Sequence, residues 1–152
     1  MEYGNLYTYN VRSLDRIVDG DTVDVTIDLG FDVMIKQRVR LFGIDAPEKR
    51  TSDPIEKVFG LAATQFLTDM LTDPNLESMI IKTSLDDKGK FGRVLGTIWT
   101  SVLDVQTNVN EAMISNHHAA RYLGQNKEAI EDIHLANRTI LLNEGKVTLP
   151  PA

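Results

Sequence analysis

Cysteine is absent from the 152-residue sequence. Its absence excludes disulfide bonds, thiolate zinc sites and a cysteine nucleophile, and it leaves the redox compartment undetermined. The sequence also lacks an apolar run long enough to cross a membrane, so no membrane partner is expected. Residues 1–7 contain neither a basic region nor an apolar stretch, and we therefore expect no signal peptide and a cytoplasmic location.

Basic residues are fewer than acidic ones: 16 lysines and arginines stand against 22 aspartates and glutamates, which gives a formal charge of −6. Because lysine and arginine neutralise most phosphates in nucleic-acid complexes, this balance predicts modest, salt-sensitive affinity for long DNA. The uneven distribution of charge is compatible with one basic face and an acidic face on the opposite side of the domain. One stretch carries the basic residues Lys36, Arg38, Arg40, Lys49, Arg50 and Lys57, and a later acidic group comprises Glu128, Glu131 and Asp132.

The chain length and a 42% apolar content predict one globular domain, residues 1–152, with a core at 6–143 and a tail at 144–152. Alternating or clustered apolar residues predict strands at residues 7–18, 22–28, 33–44, 76–84 and 94–100. Apolar residues at helical spacing predict helices at residues 55–72, about 108–116 and about 126–143. This order indicates an α+β fold, and by itself it does not separate a small barrel from other α+β arrangements.

The same patterns predict which faces are buried. Val23, Val25 and Ile27 are expected to face the core, and Trp99 is expected on or near the core face of its strand. The predicted helix stripes are Val58, Ala62, Phe66 and Met70, with Leu67 and Leu71 beside them, and Ala129, Ile133, Ala136 and Ile140.

Residues 39–48, VRLFGIDAPE, combine a strand pattern with one arginine and two carboxylates. Arg40 alternates with apolar neighbours, so its side chain is expected on the opposite face of the strand. Pro47 cannot donate to a sheet and predicts where the strand ends. Placing a guanidinium on this strand costs free energy unless it forms an ion pair or binds a ligand. A structural ion pair with Asp45 or Glu48 is the simpler alternative to a catalytic role.

Two further motifs accompany this run: VDGDTV at residues 18–23 and DDKGKFGR at residues 86–93. In this order and spacing the three segments resemble the staphylococcal nuclease (thermonuclease) family, whose patterns are similar to DGDT, RLxGIDAPE and DKxGR. The resemblance runs from about residue 16 to about residue 140 and includes a weaker match at residues 109–112. It implies a five-stranded OB-fold barrel packed by three helices, and an enzyme that hydrolyses phosphodiester bonds.

The two aspartates of the first motifs present hard anionic oxygens, which suit Ca²⁺ or Mg²⁺ better than metals that prefer sulfur or imidazole. The resemblance implies that Asp21, Asp45 and the backbone carbonyl of Ala46 bind a calcium ion, with Mg²⁺ or Mn²⁺ as alternative cofactors. The simpler alternative for residues 19–21 is an ordinary turn with exposed acids.

The resemblance also implies the catalytic residues. Glu48 corresponds to the candidate general base, which would orient or deprotonate the attacking water. Arg40 and Arg93 correspond to two arginines that bind the scissile phosphate, where forked donors stabilise the developing negative charge. The alternative for Arg93 is a structural pair with Asp86 or Asp87.

Three residues are candidate substrate contacts. Lys90 and Phe91 correspond to a family pair that contacts the terminal phosphate and sugar of a nucleotide, and Tyr122 is a candidate for stacking on a base. Ordinary packing is the alternative for both aromatic residues. We assign no catalytic role to His117 and His118, and Asn110 and Glu111 resemble a structural pair that joins loops by hydrogen bonds.

The sequence therefore predicts a monomeric, Ca²⁺-dependent endonuclease that cleaves DNA, and also RNA as a second candidate substrate, with low sequence specificity. The resemblance implies cleavage that leaves 3′-phosphates. The alternative is a catalytically inactive OB-fold module that binds nucleic acid or protein.

Overall fold

The computed structural model describes residues 6–85 and 93–151. Strands occupy the first half and the middle of these ranges, and helices lie between and after them. The elements are β1 (Thr8–Asp19), β2 (Thr22–Asp28), β3 (Met34–Leu41), β4 (Ile44–Asp45), α1 (Pro54–Leu71), β5 (Leu76–Leu85), β6 (Val94–Val102), β7 (Val105–Asn108), α2 (Val109–Ser115), β8 (Ala120–Arg121) and α3 (Lys127–Asn143). None of the helices described is long and apolar enough to cross a bilayer.

Five strands close into a barrel in the order β3-β2-β1-β5-β6. Neighbours in this order are antiparallel, and a parallel pairing of β3 with β6, which places Arg40 beside Leu95, completes the closure. The alternating pattern of β2 is confirmed, because Val23, Val25 and Ile27 are all buried. The closed barrel and its three helices confirm the predicted α+β, OB-type fold.

The third barrel strand is shorter than predicted. β3 ends at Leu41, and Gly43, at a φ of +78°, turns the chain before Ile44 and Asp45 form β4. A residue with a side chain would be strained at this φ, so glycine is favoured at the turn. β4 pairs with β8 rather than continuing in the barrel sheet. The break therefore carries Asp45 away from the barrel and places it beside Ala120.

Leu67 and Leu71 of α1 are buried as predicted, but the rest of the buried face is shifted by one position from the predicted stripe. The fully buried residues are Phe59, Gly60, Ala63, Leu67 and Leu71, whereas Val58, Ala62, Phe66 and Met70 are half-buried. The apolar face of this helix is wide, and the barrel surface selects its centre, which the sequence pattern does not identify. Trp99 was also predicted wrongly, because Ile98 and Thr100 occupy the buried face of β6 and Trp99 is half-buried between them.

The face of α3 was predicted wrongly for a different reason. Its buried residues are Ile130, His134 and Leu141, and Ala136 of the predicted stripe is exposed. A histidine occupies the centre of the buried face, so a search for apolar residues selects the neighbouring stripe. The inward position of His134 indicates that its polar atoms need partners inside the protein.

The segment that follows α3 packs against the protein, in contrast to the loose tail that the sequence predicts. Gly145, at a φ of +70°, ends the helix as its position predicts, and its N–H donates to the carbonyl of Leu142 at 3.1 Å. Val147 was predicted to lie in a loose tail, but it is buried and packs with Phe59 and Leu141. Burial of this apolar side chain anchors the segment that follows the helix.

Asn110 on α2 joins that helix to the barrel. Its side-chain amide donates to the backbone oxygens of Phe42 at 2.9 Å and Gly96 at 3.0 Å, and its carbonyl accepts a backbone N–H of β6 at 3.1 Å. Glu111 beside it accepts two hydrogen bonds from Arg121, at 3.0 and 2.7 Å. These bonds confirm the structural role predicted for Asn110 and Glu111.

Candidate active site

A cavity of about 410 Å³ lies beside the end of β3, with β4 and α3 contributing to its walls. The structure gathers five of the predicted site residues around it. They are Arg40, Asp45, Ala46, Glu48 and Tyr122.

Arg40 stands between the two predicted metal-binding carboxylates. Its Nη2 atom lies 3.3 Å from Oδ1 of Asp45 and 4.0 Å from Oδ2 of Asp21. The apolar residues on either side of it in β3, Val39 and Leu41, are buried, so Arg40 projects to the opposite face as predicted. The structural ion pair between Arg40 and Asp45 is therefore present, and the same guanidinium faces the cavity.

Asp21 is the more buried of the two aspartates. Its Oδ2 accepts the backbone N–H of Ala46 at 3.0 Å, and its Oδ1 accepts the hydroxyl of Thr22 at 2.9 Å. Burial raises the pKa of Asp21, the bonds from Ala46 and Thr22 and the charge of Arg40 oppose the rise, and the charge of Asp45 adds to it. The two hydrogen bonds and the charge of Arg40 therefore do not fully offset the effect of burial on the Asp21 carboxylate.

The donor set of Asp21 and Asp45 fits a hard divalent cation. Both groups are carboxylates, they converge on one arginine nitrogen, and the raised pKa of Asp21 shows that further positive charge would stabilise its ionised form. The described residues contain no cluster of three or more acidic or imidazole side chains that could hold a metal. A bound cation would therefore need backbone carbonyl or water ligands in addition to the two aspartates.

Tyr122 forms the side of the cavity that faces Arg40. Its ring centroid is 5.7 Å from the guanidinium carbon, and its backbone N–H donates to the carbonyl of Gly43 at 2.8 Å. The pairing of β8 with β4 thus continues by one residue and fixes the position of the tyrosine. The side chain is 42% exposed, which leaves ring surface free for another planar group.

Glu48 is an exposed residue that lines the cavity, and its backbone packs directly on α1. A Cβ atom built on Gly60 would come within 2.3 Å of the carbonyl oxygen of Glu48 and 2.5 Å of the amide nitrogen of Lys49. Such an approach excludes every residue with a side chain unless the backbone moves. Gly60 therefore sets the position of Glu48.

Replacing Gly60 with alanine is expected to destabilise the protein by roughly 1–3 kcal/mol, because the added methyl overpacks a backbone contact. At an unobstructed helix position the same change would stabilise. Urea denaturation measures the effect, and Leu61→Ala on the exposed side of the same helix is the control. Unchanged or increased stability of the alanine variant would contradict the packing described above.

Besides Asp21, which approaches Arg40 but is not among the residues that line the cavity, three predicted residues are not placed there. Arg93 is exposed, immediately precedes β6 and does not line the cavity in the part of the chain that the structure describes. Lys90 and Phe91 fall outside the described residues. The roles predicted for these three residues stay predictions.

His134 is a site residue that the sequence patterns missed. It lines the cavity from α3, its side chain is 9% exposed, and its Nε2 atom lies 2.8 Å from Oδ2 of Asp45. Asp45 is thus held from both sides, by Arg40 through Oδ1 and by His134 through Oδ2. A polar residue four positions after the apolar Ile130, on a helix with an apolar face, is the signal that could have identified it.

His118, which does not line the 410 Å³ cavity, is expected to make the stability of the protein depend on pH. Its buried ring packs against Phe66 with 4.7 Å between the ring centroids. Burial lowers the pKa of His118, and the charges of Lys146 and His117 add to the effect. The folded state therefore favours the neutral ring.

We expect stability to fall as the pH drops below about 6.5, the ordinary pKa of histidine, because the unfolded chain then binds a proton that the folded chain resists. Above that pH both states hold the neutral ring and this contribution is constant. Urea denaturation between pH 7.5 and 5.5 measures the slope, which His118→Gln should reduce. Equal slopes in the two proteins would contradict the prediction.

Comparison with known proteins identifies relatives of the chain. A family model described as "Staphylococcal nuclease homologue" matches residues 38–139, which is more than half of the chain. The chain is 37% identical to "Protein ParB" of Escherichia coli over 114 residues, covering 70% of this chain and 54% of that protein. It is 33% identical to "Thermonuclease" of Staphylococcus intermedius over 84 residues, covering 55% and 45% of the two chains. The chain spans about half the length of these relatives.

Proposed function

Because the chain belongs to the staphylococcal nuclease family, we propose that it is a metal-dependent endonuclease that hydrolyses DNA, with RNA as a second candidate substrate, and leaves 3′-phosphates with little sequence preference. The observation that carries the proposal is the convergence of Arg40, Asp45, Glu48 and Tyr122 on one cavity of about 410 Å³. A phosphodiester presents an anion, an electrophilic phosphorus atom and an adjacent base. Arg40 is suited to the anion, Glu48 to a water that attacks the phosphorus, and Tyr122 to the base. Asp45 is suited to holding the cation that would accompany the phosphate.

Arg40 binds the scissile phosphate in this proposal. Its guanidinium faces the cavity and offers forked N–H donors to the phosphate oxygens, whose negative charge increases in the transition state. Arg93 is proposed as the second arginine donor. The contact of Arg40 with Asp45 keeps its charge directed at the cavity before substrate binds.

Glu48 acts on the attacking water. Its carboxylate orients the water and accepts a proton as the water oxygen bonds to phosphorus and the bond from phosphorus to the 5′-oxygen breaks. The departing 5′-oxygen takes up a proton from solvent, so the products are a 3′-phosphate end and a 5′-hydroxyl end. The close packing on Gly60 fixes the backbone from which this base projects.

Asp21, Asp45 and the carbonyl of Ala46 are the proposed ligands of the cation, Ca²⁺ or alternatively Mg²⁺ or Mn²⁺. When bound, the cation supplies positive charge that stabilises the transition state. Tyr122 stacks on a base, an interaction worth roughly 1–3 kcal/mol that tolerates any base and supports low sequence specificity. Lys90 and Phe91 are proposed to contact the terminal phosphate and sugar.

The test is to incubate the purified protein with labelled single-stranded DNA, duplex DNA and RNA, in Ca²⁺, Mg²⁺, Mn²⁺ or a chelator. We expect cleavage that requires metal and yields ends whose mobility changes on treatment with a 3′-phosphatase. Binding of nucleic acid without cleavage under every metal would refute the nuclease and favour the inactive OB-fold binding module.

A further inference from the structure

His134 fixes one oxygen of Asp45 from an element remote in sequence. The Nε2 atom lies 2.8 Å from Oδ2 of Asp45, and Oδ1 of the same carboxylate accepts from Arg40 at 3.3 Å. The imidazole is buried whereas the Asp45 side chain is 32% exposed. A partly exposed carboxylate is thus held in one orientation by two donors, one from the barrel and one from α3.

The hydrogen bond to Asp45 determines which ring nitrogen of a neutral His134 carries the proton. An ionised carboxylate only accepts hydrogen bonds, so Nε2 must be the donor and Nδ1 the acceptor. Nδ1 is buried and has no hydrogen-bond partner among the described residues. One helical turn further along α3, the Nε donor of Arg138 is also buried without a partner in the described ranges.

These two atoms belong to residues that line one small cavity, distinct from the larger one. The cavity has a volume of about 10 Å³, room for about one water molecule, and its wall also includes Phe59 and His118. The unpaired acceptor Nδ1 of His134 and the unpaired donor Nε of Arg138 therefore belong to residues that line the same cavity. A water that accepts from Arg138 and donates to His134 satisfies both groups.

We propose that His134 is a positioning residue for Asp45, held in its Nε2–H tautomer through a water shared with Arg138. The inference rests on the proposed function, in which Asp45 binds the cation. The hydrogen bonds then run in one direction, from Arg138 to water, from water to His134 and from His134 to Asp45. This series gives Nδ1 of His134 and Nε of Arg138 partners of the opposite kind. Nδ1 of His118 is also buried at this cavity without a partner in the described ranges, and the second hydrogen of the same water is available to it.

The consequence is a cation site of defined geometry. A metal-binding carboxylate that rotates freely offers its oxygens in many orientations, and hydrogen bonds that fix it favour the one that binds. Loss of such an outer contact typically weakens metal affinity or activity by about 10- to 100-fold. If His134 only tied α3 to β4, its loss would lower stability and leave metal affinity unchanged.

Two substitutions of similar size separate these roles. Glutamine can place its amide N–H near the position of Nε2 and keep the bond to Asp45, whereas asparagine is one methylene shorter and cannot reach as far. We expect His134→Asn to weaken Ca²⁺ binding by about 10- to 100-fold, and His134→Gln to restore most of the affinity. Isothermal titration of each full-length protein with calcium chloride measures this, and urea denaturation records stability separately.

Nitrogen-15 NMR of the imidazole provides a readout that does not depend on metal or activity. At pH 8 the His134 ring is expected to carry its proton on Nε2, and Arg138→Met should alter the Nδ1 chemical shift by removing the donor to the shared water. Protonation of Nδ1 instead of Nε2 in the wild-type protein would overturn the proposal. An unchanged Nδ1 shift in Arg138→Met would overturn the water-mediated part.

The outcomes of the proposed function and of this inference are distinguishable. Cleavage by the wild-type protein together with equal Ca²⁺ affinity in the wild-type, Asn and Gln proteins would reject the positioning role and leave the nuclease intact. Ca²⁺ binding that is weakened by asparagine and restored by glutamine, without cleavage by the wild-type protein, would support the positioning role and reject the nuclease. Absence of Ca²⁺ binding by the wild-type protein would reject the positioning role, and cleavage assays with Mg²⁺ or Mn²⁺ would judge the nuclease separately.

Discussion

Glu48→Gln is expected to lower the kcat for DNA cleavage by about 100- to 10,000-fold, the range typical for loss of a general base. Glutamine keeps the size of the side chain and its place beside Gly60, but its amide does not accept the proton of the attacking water. KM should change little, because the contacts proposed to bind substrate remain. Steady-state cleavage of a short labelled oligonucleotide at saturating metal measures both constants.

The matched control is Glu56→Gln, which removes the same charge from the same cavity at a position on α1. If Glu48 acts as a base, the control retains near-normal kcat. Similar losses in both variants would show that the cavity needs overall negative charge, and the base assignment of Glu48 would be withdrawn. Arg93→Ala tests the second proposed phosphate ligand in the same assay.

Arg40→Met is expected to lower kcat by about 100- to 1,000-fold, because an aimed donor to transition-state charge is lost. Methionine preserves much of the apolar stem and removes the guanidinium. Arg38→Met is the control, since Arg38 lies on the same strand, pairs with Asp24 at 2.8 Å and has a side chain that is 60% exposed. The control should retain activity within a few-fold of the wild-type protein.

The structure shows Arg40 paired with Asp45, so the experiment must separate a counter-ion from a phosphate ligand. If Arg40 only balances the charge of the aspartates, a bound divalent cation can replace it, and raising the metal concentration should restore kcat. If Arg40 binds the phosphate, kcat stays low at saturating metal because the phosphate oxygens still lack the donor that the guanidinium supplied. Full recovery at high metal would contradict the proposed role.

Much of the barrel could be predicted from the sequence because its signals are local. The alternation of Val23, Val25 and Ile27 defines a half-buried strand, and apolar residues at helical spacing predict the extents of α1 and α3 to within about one residue. The three ordered motifs identified the family, which the match over residues 38–139 confirms. Each of these signals depends on the chemistry of neighbouring residues and needs no knowledge of distant contacts.

The departures from prediction occur where distant segments meet. Gly43 interrupts the third strand because β4 pairs with β8, a segment more than seventy residues later in the chain. The buried faces of α1 and α3 depend on the surfaces they pack against. The apolar pattern therefore identified Leu67 and Leu71 of α1 correctly and otherwise selected neighbouring positions. Trp99 lies between the buried positions of β6 for the same reason.

The sequence by itself determined the α+β class and, through three ordered motifs, the family, since alternation and motif spacing along the chain are local properties. The resemblance to the family then implied the barrel and the candidate residues Arg40, Asp45, Glu48 and Tyr122. Only the tertiary structure decided that these residues share one cavity and that His134 holds Asp45. Eighty-nine positions separate that histidine from its aspartate. A contact over this separation is fixed by barrel closure and the docking of α3, so no local pattern encodes it.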